Sequence, residues 1–196
     1  MVGSVAFCGV QGSAWAADGE STRFVPRYQG VDVSALVTTE LLPSNMFGID
    51  VAYAVGNETF QARFGAVIAG GRAFDVGAGR VSNAMQAAQL DLCAAKGVVR
   101  HRIRMCVGGQ AGAMQHRWLD VNPGRKLTPY AAGTLRGDYR YSFTPRVGLL
   151  FGVGVSVPMV GPRFIVRDDL GQRSGQQILP GPIAGTMTLG ASFSFI

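Results

Sequence analysis

Few residues in this sequence are of a type that does chemistry, and their spacing decides what that chemistry could be. Cys93 and Cys106 flank one short turn. Side chains alternate faces along a strand, so a hairpin that pairs 93 with 106 also pairs Asp91 with Gly108 and Gln89 with Gln110, and both thiols share the inner face. In an oxidising compartment such a pair is expected to form a disulfide. Closing that loop would stabilise the fold by about 3 kcal/mol. Metal binding needs more Cys or His nearby, and the only close candidate, His101, falls on the opposite face. His116 lies in the polar stretch from Gln115 to Lys126 with Asp120, and no Ser is poised beside it as a nucleophile. His116, Arg117 and Trp118 therefore read as surface-loop contacts, as does Arg167-Asp168-Asp169. The glycines between Gly148 and Gly154 are not followed by the Lys-Ser/Thr of a phosphate loop. The expectation is a protein without catalytic activity, metal or cofactor.

The remaining polar chemistry is charge. The chain carries 18 Lys and Arg against 12 Asp and Glu, a formal net charge of +6. A nucleic-acid-binding protein gathers such charge on one exposed face. Here most basic residues are spread singly, and no nucleic-acid partner is expected. The one dense group, Arg100, His101, Arg102 and Arg104, reads as a strand whose even positions face a polar interior, because Ile103, Met105 and Val107 occupy the other face. By the same alternation Asp32, Glu40, Asp50, Arg63, Asp91, Arg102, Arg104, Arg136, Asp138 and Arg140 all fall on the non-apolar face of their segments. Acids and bases are similar in number there, so they are expected to form a hydrogen-bonded network, since lone buried charges are costly.

The elements that must position these residues are strands. The 196 residues fit one domain. Hydrophobic residues make up 47%, charged residues only 15%, and 28 residues are Gly. No stretch reads as a membrane-spanning helix, because the longest uncharged run, Ser174 to Ile196, is broken by Pro and Gly and alternates apolar with small polar residues. Eight segments alternate with period two: Val31–Leu42, Met46–Val55, Glu58–Gly70, Arg80–Cys93, Val99–Met114, Leu127–Phe143, Arg146–Val157 and Ile183–Phe195. About 10 tilted residues cross the hydrocarbon layer. The connections alternate between short turns and longer polar loops, with Pro43-Ser44-Asn45 alone short on the long side. A soluble barrel would put apolar residues inside, whereas an Arg facing mid-bilayer lipid costs about 2–4 kcal/mol. The charged face must therefore be the lumen and the apolar face must meet lipid. Tyr53, Phe60, Tyr139, Tyr141, Phe143, Phe193 and Phe195 gather at the short-turn end, as an interfacial girdle requires. The predicted fold is all-β: an eight-stranded antiparallel up-and-down transmembrane β-barrel over residues 31–196. Residues 18–30 are expected to form a lead-in; for residues 1–17, where Ala14-Trp15-Ala16 supplies a cleavage pattern but no Lys or Arg precedes the apolar run, the expectation is a truncated export signal, the alternative being no signal.

These features resemble small outer-membrane β-barrels of the OmpA/OmpX-like class. Thr188-x-Gly190-x-x-Phe193-x-Phe195 is similar to the C-terminal signal read by the barrel-assembly machinery, with Ile196 as one extra residue. From about Arg72 onward the chain also resembles uncharacterised myxobacterial barrel proteins, through Gly79-Arg80-Val81-Ser82, Leu90-Asp91-Leu92-Cys93, Met105-Cys106-Val107-Gly108 and Val157-Pro158-Met159-Val160-Gly161-Pro162-Arg163-Phe164. The resemblance implies the outer membrane of a Gram-negative bacterium, with outer-membrane lipid and the assembly machinery as partners and an extracellular partner reached through the loops. It implies no reaction. Two functions stay open: a structural or surface-interaction barrel, and a narrow transport or small-ligand barrel that uses the charged lumen.

Overall fold

The computed structural model describes residues 28–39, 45–76, 79–98, 100–119, 125–161, 164–167, 173–178 and 181–195. All of its regular structure is strand. The order is β1 (Tyr28–Thr39), β2 (Met46–Gly56), β3 (Phe60–Gly71), β4 (Phe74–Val76), β5 (Gly79–Val98), β6 (His101–Trp118), β7 (Arg125–Ser142), β8 (Val147–Val160), β9 (Phe164–Arg167), β10 (Arg173–Ile178) and β11 (Ala184–Ser194). Eight of these close a ring in the order β1, β2, β3, β5, β6, β7, β8, β11, with every neighbour antiparallel. Closure leaves no unpaired edge, which is the condition for crossing a membrane with strands. The stretches expected to be plain loops hold structure of their own: β4 pairs with β5, and β9 pairs with β10.

The short turns are fixed locally. Asn57 Oδ1 accepts the backbone N–H groups of Thr59 at 2.8 Å and Phe60 at 2.7 Å, which caps the β2–β3 turn. Thr144 Oγ1 accepts the N–H of Val147 at 3.0 Å in the β7–β8 turn. The β5–β6 turn is tighter than its sequence suggests. Lys96 still pairs with Ile103 and Gly97 with Arg102, so the chain reverses only after Val98.

The outer face is mainly apolar. Ile49, Phe64, Ile68, Leu90, Leu92, Met105, Val107, Leu135, Phe151, Val153, Met187 and Leu189 are all exposed. The charges are inside, where Asp32, Asp50, Arg63, Asp91, Arg104, Arg136, Asp138 and Arg140 are buried. The loop end of the lumen is uncharged and mainly apolar, with Asn83 and His116 buried among its polar residues. Leu36, Met46, Val67, Val81, Met85, Met114 and Tyr130 pack there as an apolar core, with Phe74 and Trp118 against it.

Candidate functional site in the lumen

A ring of alternating charge crosses the middle of the barrel. Arg104 on β6 binds Asp138 on β7 at 2.7 Å and Asp32 on β1 at 2.6 Å. Arg136 on β7 binds Asp138 at 2.5 Å through Nε, and Asp50 on β2 through Nη1. Arg63 on β3 binds Asp50 at 2.7 Å and lies 3.9 Å from Asp32, which closes the ring. Arg63 also binds Asp91 on β5 at 3.0 Å. Asp91 is further held by Gln89 Nε2 at 2.5 Å and by the Thr134 hydroxyl at 3.1 Å. Two of these contacts span the lumen. β6 and β1 stand four places apart in the ring of eight strands, and so do β7 and β2. The ion pairs Arg104–Asp32 and Arg136–Asp50 therefore join opposite walls.

Neutral neighbours complete the arrangement. Arg136 Nη2 donates to Thr188 Oγ1 on β11 at 3.0 Å. Gly152 on β8 lies between them, where a Cβ would meet Asp138 Oδ1 at 2.5 Å. Only Gly leaves room for the ring on that wall. Voids of about 30 Å³ and about 10 Å³ remain on its two sides. Each has room for little more than a water molecule. Arg140 lies nearer the short-turn mouth and donates to Tyr28 Oη at 3.0 Å and Ser194 Oγ at 2.8 Å. Half-buried Arg102 stacks over the Tyr28 ring at 4.9 Å and donates to the Glu58 carbonyl.

Cys93 and Cys106 are directly paired on the lumen wall, with S–S 2.09 Å and Cα–Cα 4.0 Å. Glu40 and the segment 1–17 lie outside the described residues. Thr188 is in the lumen, Gly190 pairs with Ser34, and Phe193 and Phe195 are exposed on the outer face. Two of the surface-loop assignments need correction. β6 runs on through Trp118, so His116 is a strand residue: it is 1% exposed, with Nδ1 2.6 Å from Asn83 Oδ1. Trp118 packs against the apolar core. Of the three, Arg117 is exposed. His101 is on the outer face, 2.6 Å from the Tyr139 hydroxyl, so the two His stand on opposite faces of β6 and cannot share a site. Sequence reasoning missed the apolar core at the loop end. Its one signal was the run of Met and Val at inward positions of β5 and β6.

An apolar outer wall around a charged interior crossed by a ring of ion pairs defines a small transmembrane β-barrel of the outer-membrane type. Solved structures of that type share the fold. A major outer membrane protein from Thermus thermophilus is 15% identical, with TM-score 0.57 over 84% of this chain and 99% of that one. Neisserial surface protein A is 8% identical, with TM-score 0.55 over 86% and 96%. Ail, the attachment invasion locus protein of Yersinia pestis, solved with the heparin analogue sucrose octasulfate, is 10% identical, with TM-score 0.53 over 86% and 97%. At these identities the likeness is one of fold. No protein-family profile and no curated protein matches the chain. The likeness to myxobacterial barrels stays an expectation.

Proposed function

We propose that this protein resides in the Gram-negative outer membrane and acts at the cell surface through its loop end, as an interaction barrel without catalytic activity. The observation that carries this reading is the pair of ion contacts across the lumen, Arg104–Asp32 and Arg136–Asp50. A solute would have to break both, and breaking a buried pair costs about 3–5 kcal/mol. With the lumen closed, the loop-end rim is the surface turned to the cell exterior. Phe193 and Phe195, on the outer face after Gly190, serve the barrel-assembly machinery.

The rim has its own chemistry. Arg117 and Arg125 stand directly opposite each other on β6 and β7, and both are exposed, as are Arg72 and Lys126. Like charges placed opposite each other repel, and an anion between them relieves that repulsion. A sulfated glycan supplies such an anion, as the sulfated ligand of Ail illustrates. The test is retention of intact cells displaying the barrel on immobilised heparin. Retention is expected, and Arg117→Glu with Arg125→Glu is expected to abolish it. Equal retention of cells lacking the barrel, or no effect of the two substitutions, would overturn the reading of the rim.

A further inference from the structure

We infer that the outer wall at the short-turn end binds a phospholipid, its acyl chain in a groove across β3, β5 and β6 and its phosphate on Lys96 and Arg100. This rests on the outer-membrane placement proposed above only in taking that end to face the inner, phospholipid leaflet.

The groove follows from register. Phe60, Ala94 and Met105 lie abreast on β3, β5 and β6, and Ala62, Leu92 and Val107 lie abreast one step further in. Large side chains thus flank a floor of Ala62 and Ala94. The groove holds about 590 Å³ and is almost wholly apolar. It has the shape and polarity of a hydrocarbon chain lying along the wall rather than of a polar ligand.

The charge sits where a headgroup would. Lys96 is on the same face as Ala94, two residues or about 7 Å closer to the turn. Arg100 is exposed in the turn itself. Their depth is marked on the neighbouring strands by His101 against the Tyr139 hydroxyl, and by Tyr141 packed edge-on to Phe143 at 5.2 Å. Such an aromatic belt lies at headgroup level. Among the described residues the acid at this end is Glu58, exposed in the β2–β3 turn next to the groove-lining Asn57, with Arg102 donating to its backbone carbonyl. Lys96 therefore presents positive charge on the outer face beyond the turn end of the apolar groove, with Arg100 exposed in the adjoining turn.

The test is native mass spectrometry of the refolded barrel in mild detergent, titrated separately with phosphatidylglycerol and with phosphatidylcholine of the same chains. Phosphatidylglycerol is expected to be retained more strongly. Lys96→Gln and Arg100→Gln should each lower its retention about fivefold, while phosphatidylcholine is unaffected. Ala94→Trp should fill the groove and abolish retention of both lipids. Ala88→Trp, which faces lipid outside the groove, should leave both unchanged. Equal retention by Ala94→Trp and Ala88→Trp, or no headgroup preference, would overturn the site. So would a dimer whose formation Ala94→Trp prevents, since a second copy would then occupy the groove. Loss of the membrane reading itself would show separately, as gel migration that heat does not modify.

Discussion

Asp50 and Arg136 are 86 residues apart in sequence and meet across the full width of the lumen, from strands that face each other through the barrel. Arg136 is at the same time held by Asp138, its neighbour two positions along β7, and by Thr188 on β11. One guanidinium therefore ties three walls together. A planar fork with five fixed donors can do this, and a Lys ammonium cannot reproduce it.

Arg136→Leu should destabilise the barrel by about 3–5 kcal/mol, because it leaves Asp50 and Asp138 buried with a partner missing. Urea unfolding in lipid vesicles, followed by gel shift, reads this directly. Replacing Asp50 by Leu as well should recover part of the loss. A single substitution that leaves the unfolding midpoint unchanged would show that the ring does not hold the walls together.

Gly152→Val tests how closely the ring is fitted to β8. The added side chain would meet Asp138 and Thr188. Overpacking of this kind costs about 1–3 kcal/mol. The same change at Gly133, where a Cβ would meet only the tip of Met159 at 3.3 Å, should cost less.

Faces can be tested on a single strand. Val107 is 62% exposed on the outer wall of β6, and Gln110 lines the small inner void. Val107→Arg sets a charge against lipid and should cost about 2–4 kcal/mol near the bilayer midplane, enough to impair assembly. Gln110→Arg, beside Gln89, which itself donates to Asp91, should assemble. Equal yields of folded protein from the two variants would contradict the assignment of inside and outside.

The disulfide ties together register, facing and compartment. Protein from cell envelopes, digested without reduction, should yield one linked peptide containing Cys93 and Cys106. Finding both thiols open to alkylation before reduction would count against the oxidising compartment. Cys93→Ala with Cys106→Ala should lower stability by at most about 3 kcal/mol, the loop-closure contribution, and leave the barrel folded.

Strand faces were legible in the sequence because lipid and lumen demand opposite polarities at alternate residues. That alternation put Asp32, Asp50, Arg63 and Asp91 inside, and it set Cys93 opposite Cys106. It could not say which Asp meets which Arg, because those partners come from strands far apart in sequence and are chosen by closure of the ring. It also failed where the rule relaxes. At the loop end the inward residues Val81, Met85 and Met114 are apolar too, since the lumen there is filled rather than charged. β5 has 20 residues and β6 and β7 have 18 each, well beyond the span of a bilayer, so polar strand residues near the loop end read as loop. That is why His116 looked like a surface residue and lies in the core.

The central claim is that the lumen is closed by ion pairs joining opposite walls, and single-channel recording tests it most directly. Purified refolded barrel, inserted into a planar bilayer at moderate salt, should give no discrete current steps above the lipid baseline at any applied voltage. Reproducible steps from the unaltered protein, blocked or reshaped by substitution of Arg104 or Arg136, would show that the ring opens, and would replace the surface-interaction reading with a conduit.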